Sequence, residues 1–323
     1  MLTILIDGNS LMNVFYRATL PEQAKKSDNP DSVEFYDFIP RNKYGVYMNA
    51  FKLFIKYTAF LINTYRPEKL AVAFDVNGGS DFRKKSCPDY KATRGSKPTP
   101  LLEQLDIIQF WLKKCGIPVY TNNQCEADDL LYSLSSRESV TGNVMLVTTD
   151  HDYYQMIKGN TKALMYIPNR KKFEELQKKY PKNCTKEHKF CFYDENMIKA
   201  ETGVYSFQIP DLKGLHGDTS DNISGVKGIG EKTAIALLNA YPSIESIYEA
   251  MNTTEEELLM EVWKAMDIPR PTVTYKALKE GEYEGRLSKW LATAWSNVPT
   301  VPVPMLQINT EAWTELLEFI KTT

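Results

Sequence analysis

Nine acidic side chains stand in five clusters along the chain: Asp7; Asp75; Glu126, Asp128 and Asp129; Asp150 and Asp152; Asp218 and Asp221. Carboxylates gathered in one place raise one another's pKa values and oppose folding unless a cation sits among them. Mg²⁺ and Mn²⁺ suit such oxygen-only ligand sets and keep several waters. Two of these ions about 4 Å apart can hold an attacking hydroxide and a leaving oxygen during phosphodiester hydrolysis. In the segment CEADDLL, Glu126 and Asp129 lie three apart at a helix N-terminus and share a face. Asp128 follows at a step of roughly 100° and can flank the same site. The helix dipole tolerates acids there but does not explain strand-end acids converging on them. A single aspartate at a strand end is commonly a turn former or cap. That ordinary reading covers one or two of these positions and not all five clusters. No histidine is placed as a general base. His151 falls between Asp150 and Asp152 and, in an extended segment, points away from both.

The elements that would position these acids are legible as pattern. Apolar, β-rich runs at 2–6, 70–74 and 144–147 end in or lead to Asp7, Asp75 and Asp150, and a shorter run at 117–120 precedes Glu126. Helical periodicity occupies 47–65, 100–114 and 127–136. Near-continuous apolar strands alternating with helices predict an α/β fold with a central, mainly parallel sheet covered on both faces. Ligands of such sheets bind outside the carboxyl ends of the strands, where Asp7, Asp75 and Asp150 fall. After Pro168 the chain changes character. Residues 169–189 are lysine-rich and poorly periodic, 194–203 reads as a helix with an Asp cap and a Gly stop, and 254–266 as an acidic helix. The proline-rich stretch VPTVPVP at 298–304 reads as extended, and 311–320 as a last amphipathic helix.

Composition narrows the class. The chain has 323 residues, 43% hydrophobic and 25% charged, which excludes collagen-like and wholly disordered proteins. No apolar run reaches the roughly 20 residues of a membrane span, and the N-terminus lacks the plan of a signal peptide. The net charge is −2, so a global basic surplus does not argue for nucleic acid. The distribution does: six basic residues against one acid in 83–97, and ten against three in 158–189. The five cysteines, Cys87, Cys115, Cys125, Cys184 and Cys191, are odd in number and form no C-x-x-C pair. That predicts a reducing, cytoplasmic setting. Cys184, His188 and Cys191 have a zinc-like spacing, but no fourth ligand is evident nearby.

The segment GVKGIG at 225–230, followed by EKTA and an apolar helix, forms a further site candidate. Gly225, Gly228 and Gly230 allow tight turns and close backbone approach. The helix that follows presents free N–H groups to a phosphate, and Lys227 and Lys232 add charge. This is a way to hold a nucleic-acid backbone without reading sequence. A nucleotide-binding turn or a structural loop remains open on the glycines alone. A dinucleotide site is disfavoured because no strand precedes the glycines.

Together these residues resemble the 5′-nuclease family, which includes the nuclease domain of bacterial DNA polymerase I, free-standing phage 5′-exonucleases and the eukaryotic flap endonucleases. The similar stretches are LIDGNS, AVAFDV with DFRKKSCPDYKATR, CEADDLL, TTDHDYYQM and HGDTSDNISGVKGIGEKTA. They span 1 to about 240, in the family's order, and look closer to the polymerase and phage types. The resemblance implies a PIN-like nuclease domain over 1–200 with a helical arch at about 81–105. It implies a helix–three-turn–helix DNA-binding subdomain over 201–285, and it leaves a C-terminal extension at 286–323 of unknown role. It implies that Asp7, Asp75, Glu126 and Asp128 hold or water-bridge a first Mg²⁺ or Mn²⁺, with Asp129 shared or outer-sphere. Asp150, Asp152, Asp218 and Asp221 would form a second metal group. Arg83 and Lys91 would contact the scissile phosphate, Tyr90 would stack on a base, and Arg94, Lys227, Gly228, Gly230 and Lys232 would hold the backbone. The 225–230 hairpin would bind K⁺ through its carbonyls. Without the resemblance, Lys91 and Arg94 read as solvated basics, and Tyr90, Phe82 and Tyr132 as packing residues.

The implied activity is metal-dependent 5′-3′ exonuclease and flap-endonuclease cleavage of branched or 5′-ended DNA in RNA primer and flap removal. The partners would be such DNA, RNA–DNA hybrids and replication proteins such as a polymerase or single-strand-binding protein. The expected form is a monomeric, stand-alone nuclease of bacterial or phage type. An exonuclease acting mainly on RNA in hybrids is the enzymatic rival, and a catalytically silent branched-DNA binder the non-enzymatic one. Two departures stand out: a polar insertion at 21–42, and His216 before Gly217-Asp218.

Overall fold

The computed structural model describes residues 1–186 and 188–321. Glu187, in the lysine-rich run, and Thr322 and Thr323, at the end of the C-terminal extension, lie outside the described residues. The chain opens with β1 (Leu2–Asp7), α1 (Gly8–Ala18), α2 (Glu22–Lys25), α3 (Asn49–Tyr65), β2 (Lys69–Ala73), α4 (Asp81–Ser86), α5 (Thr99–Lys114), β3 (Val119–Tyr120), α6 (Ala127–Glu138) and β4 (Asn143–Thr148). It continues with β5 (Thr161–Tyr166), α7 (Arg170–Lys179), β6 (Phe190–Tyr193), α8 (Glu195–Thr202), α9 (Ile209–His216) and α10 (Glu231–Ala240). The remaining helices are α11 (Ile244–Thr253), α12 (Glu256–Ala265), α13 (Pro271–Glu280), α14 (Glu282–Ala292) and α15 (Thr310–Phe319).

The six strands form one sheet in the order β3-β2-β1-β4-β5-β6, parallel throughout except for β6. β1 lies at the centre with Ile4, Leu5 and Ile6 at most 1% exposed, because helices cover both faces. Ile4 and Ile6 join the cluster of α1, α3 and α5, and Leu5 joins that of α6 and the C-terminal helices. The expected α/β fold with a mainly parallel, helix-flanked sheet is present. Because β1, β2 and β4 run parallel, Asp7, Asp75 and Asp150 fall at the same edge of the sheet.

Three elements depart from the sequence reading. Residues 161–166 and 190–193 form strands that the sequence reading did not mark; β5 is paired on both sides, with β4 and with β6. The lysine-rich run contains α7, whose charged surface hides only Phe173 and Leu176 in the core. Cys184 and Cys191 are joined by a disulfide across an antiparallel bridge, so the expectation of wholly reduced cysteines does not hold in this structure. His188 packs edge-on against Phe60 at 4.1 Å, which removes the zinc-like spacing as a ligand set.

The C-terminal part is tied to the sheet rather than trailing from it. A boundary at 285/286 falls inside α14, which packs along α9. Beyond α14 an extended strap crosses the β3 edge. Tyr120 donates its hydroxyl to the Val301 carbonyl, the Val303 N–H donates to Glu138, and the Leu306 N–H donates to the Glu68 carbonyl. The strap ends in α15, whose buried Ala312 and Leu316 join the cluster containing α5 and α3. It covers an edge that would otherwise be free to pair with another chain.

Candidate active site

Asp7 closes β1 and caps α1: its Oδ1 accepts from the Ser10 N–H at 2.9 Å and its Oδ2 from the Thr148 hydroxyl at 2.9 Å. Asp75, after β2, accepts from Asn9 Nδ2 at 2.9 Å and from the Ala127 N–H at 2.8 Å. The first of these ties it to α1 and the second to the start of α6. Asp150, after β4, caps a short 3₁₀ turn over His151–Met156 and accepts from the Asp152 N–H at 2.9 Å. The turn replaces the extended segment expected there, and His151 leans on Tyr154 instead of facing the carboxylates. Glu126 caps α6 and Asp129 lies one turn in, completing a capping box.

The electrostatics confirm that four of these acids crowd one another. Burial raises Asp7 to about 6, with Asp75 adding to the rise against the Ser10 hydrogen bond. Burial and the Asp152 charge push Asp150 up to about 7. Burial lifts Asp128 well above the carboxylate range, with Asp150, Asp7 and Asp75 adding to it against Lys91. Each shift says that a buried negative charge here lacks a sufficient counterion.

The remaining acids are neutralised by the chain's own bases. Lys91 lies 2.5 Å from Glu126 and 3.7 Å from Asp221, and Arg94 pairs with Asp221. Lys91 holds a left-handed backbone (φ 56°), secured by its N–H donating to the Asp221 carbonyl at 2.9 Å. Lys213, on α9, sits between Asp152 and Asp218, 2.5 Å from the latter. Burial works against Asp218, yet Lys213 and Ser220 outweigh it and hold it at about 2. In this arrangement no three acidic, histidine or cysteine side chains among the described residues surround a common point for a metal. Ammonium groups occupy the space between them. The donor set itself fits hard divalent cations: it is all oxygen, crowded and short of positive charge at Asp7, Asp128 and Asp150. The Tyr153 hydroxyl is buried against this group, within reach of the Asp128 and Asp7 carboxylates but without good hydrogen-bond geometry to either.

Two residues expected at the phosphate and the base are held inside the protein in this structure. Arg83 is 2% exposed. Its Nη1 donates to Glu126 at 2.6 Å and to Asp129 at 2.9 Å, and its Nη2 to Asp129 at 2.8 Å and to the Thr293 carbonyl at 2.9 Å. Tyr90 is likewise 2% exposed and donates its hydroxyl to Glu126 at 3.1 Å, so no ring face is free for a base. The segment 87–98, expected to belong to a helical arch, is non-helical and folds down onto the carboxylates between α4 and α5. Both oxygens of Asp129 are engaged, by Arg83 and by the Glu126 and Trp295 N–H groups.

The glycine hairpin joins α9 to α10. Gly217 and Gly225 have positive φ, and a Cβ on Gly225 would lie 2.3 Å from the Gly217 nitrogen, so the turn closes only with glycine there. Gly230 is the N-cap of α10, with no side-chain cap and nothing within 4 Å of its open side. Lys227, Gly228 and Lys232 are exposed beside it. The α10 N–H groups and two lysines therefore face solvent, as a phosphate site requires.

Sequence reasoning missed Lys213, Tyr153, Asn9 and Thr148. Lys213 carries the one usable signal, since it stands a helical turn before Gly217-Asp218. The others become visible only when β1, β2 and β4 lie side by side.

The pKa shifts fix a pH dependence. Asp7 and Asp150 keep protons in the fold that the unfolded chain has released above about pH 4, so in chelator their raised pKa values cost stability as pH rises. The melting temperature in EDTA is expected to fall between about pH 4 and pH 7 as Asp7 and Asp150 lose their protons, with Asp128, raised well above its ordinary value, adding to the fall. Asp218 acts in the other direction but only as pH falls toward about 2, outside this window. His151 and His216, held below their ordinary values by desolvation, oppose the trend near neutrality with smaller shifts. Excess Mg²⁺ should remove or reverse the fall. A melting temperature in EDTA that stays flat across this range would mean that Asp7 and Asp150 titrate normally.

Acids gathered at the carboxyl edge of a parallel sheet, beside a basic helical hairpin, define a hydrolase of the PIN-like nuclease class. The comparisons agree. One family model, the 5′-3′ exonuclease N-terminal resolvase-like domain, matches residues 2–188, and a second, the 5′-3′ exonuclease C-terminal SAM fold, matches 204–315. A 5′-3′ exonuclease of Halalkalibacterium halodurans is 28% identical over 92% of this chain and 85% of its own length. The DNA polymerase I of Caldicellulosiruptor bescii is 30% identical over 96% of this chain, which spans only 31% of that protein. Among solved structures, the phage T5 5′-exonuclease with bound zinc has a TM-score of 0.60 at 19% identity, over 90% of this chain and 89% of that one. The catalytic core of Rad2 in complex with DNA has a TM-score of 0.54 at 14% identity, over 98% of this chain and 86% of that one. The chain belongs to the 5′-3′ exonuclease family and is a nuclease. No described helix is long and apolar enough to cross a membrane.

Proposed function

We propose that this nuclease hydrolyses phosphodiesters near 5′ ends and at 5′-flap junctions of DNA, with two Mg²⁺ or Mn²⁺ ions. The observation that carries the reading is the shared edge of β1, β2, β4 and α6, where acids short of positive charge meet the exposed α10 N-terminus. Relatives solved with metal ions or DNA support both ligands. Asp7, Asp75, Glu126 and Asp128 would hold one ion, and Asp150, Asp152 and Asp218 the other with Asp221 beside it. Divalent ions bound there supply a water of lowered pKa and offset the charge that develops on the phosphate. The chain's own part is to bind and align. Lys227, Lys232 and the α10 N–H groups grip the duplex backbone, and K⁺ at the 225–230 carbonyls belongs to the same grip. Lys91 and Arg94, paired here with Glu126 and Asp221, would be free to contact the DNA phosphates where ions hold those carboxylates. Removal of flaps and RNA primers by a cytoplasmic monomer fits this chemistry and the polymerase relatives. The test is a labelled duplex with a 5′ single-stranded flap, incubated with Mg²⁺ or EDTA. Junction-length products that vanish with EDTA are expected. Tight binding without cleavage in Mg²⁺ would overturn the proposal, and cleavage confined to RNA in hybrids would replace its substrate.

A further inference from the structure

Tyr153 is an aromatic residue whose polar end has no use in packing. Its ring lies in the core cluster beneath α6, where phenylalanine would fill the same space. Its hydroxyl is fully buried, with the Asp128 and Asp7 carboxylates in reach but neither in good hydrogen-bond geometry. A buried hydroxyl without a well-formed hydrogen bond is costly, so native structures seldom keep one without a reason. The groups it faces are the carboxylates of Asp128 and Asp7, with Asp150 beyond them. The turn that carries it cannot drift. Asp150 caps its start, and two residues on Gln155 donates to the Ala292 carbonyl at 3.1 Å and accepts from the Ala294 N–H at 2.9 Å.

Resting on the metal reading above, we propose that Tyr153 is a positioning residue for the first ion, its hydroxyl donating to the Asp128 carboxylate when a divalent cation is bound. Charge decides why a tyrosine serves here. Lys91 and Lys213 neutralise their acids but carry positive charge, so a cation must displace them. A neutral hydroxyl adds no charge to repel the ion. It would orient the Asp128 carboxylate by a hydrogen bond without competing with the ion for the site. Partners one step removed from a metal commonly orient its ligands in this way.

The experiment is Mn²⁺ binding to the intact protein without DNA, followed by calorimetry, on wild type, Tyr153→Phe, Asp128→Asn and the double variant. Tyr153→Phe should weaken Mn²⁺ binding about 10-fold, the lower end for such partners, and should melt in EDTA no lower than wild type. A merely structural tyrosine would show the reverse: a lower melting temperature and unchanged affinity. In the Asp128→Asn background the Phe substitution should add no further loss. Affinity of Tyr153→Phe within twofold of wild type, with Asp128→Asn impaired, overturns this inference alone. Mn²⁺ binding indifferent to Asp128→Asn overturns the metal reading on which it stands.

Discussion

Asp150→Ala is expected to lower flap cleavage by at least about 10²–10³-fold, the loss that follows removal of one preorganised charge-stabilising group. Asp150 sits where β4 ends and meets Asp7, Asp128 and Asp152, and burial among them raises it to about 7. A carboxylate so raised lacks a counterion, which a divalent cation would supply in place of the proton, and alanine cannot replace the oxygen ligand. Stability should move the other way in chelator, because the substitution deletes a carboxylate that the fold would rather keep protonated. Affinity for flap DNA in EDTA should be equal or higher, since one negative charge near the phosphates is gone. Single-turnover cleavage in Mg²⁺, anisotropy in EDTA and thermal melting together test this. Asp194→Ala is the control: that aspartate caps α8, accepting from the Met197 N–H at 2.9 Å. Its loss should cost about 1 kcal/mol of stability and leave cleavage alone. Wild-type cleavage by Asp150→Ala would remove Asp150 from the site.

The parts of this site that are local in sequence were legible, and those made by distant contact were not. Asp7, Asp75 and Asp150 could be placed on one edge because an apolar run ending in an acid reads the same in sequence and in space. The Asp194 cap and Gly203 stop of α8 were visible for the same reason: capping is decided within a few residues. Strand β5 was not, since its pairing with β4 and β6 comes from residues far along the chain. The basic segment 83–94 shows the limit most sharply. Its charges read equally as phosphate contacts or as counterions. Only the fold shows that Arg83, Lys91 and Arg94 each meet an acid of the site at short range. Lys213 belongs with them, because the chain carries its own cations into the places where its carboxylates crowd.

Arg83 tests whether those internal cations act through structure or through chemistry. Its guanidinium joins three otherwise separate parts: Glu126 and Asp129 at the start of α6, α4 on which it lies, and the strap through the Thr293 carbonyl. Asp129 is 0% exposed, so without Arg83 its charge has no counterion and no water. Arg83→Met should therefore lower unfolding free energy by about 3–5 kcal/mol, the cost of breaking a buried pair by removing one partner. Arg83→Lys should recover only part of it, because an ammonium cannot reach both carboxylates and the carbonyl with a planar fork. Asp129→Asn with Arg83→Met should be less damaging than the sum of the two singles, by about 0.5–3 kcal/mol, because the stranded charge has gone too. Urea denaturation of the four proteins reads all three. Were Arg83 a phosphate contact, the urea midpoint of Arg83→Met would match wild type and only the cleavage rate would fall. A structural tie predicts the opposite order: the midpoint falls first, and cleavage measured well below it suffers only as far as Glu126, freed from Arg83, loses its orientation toward the ion.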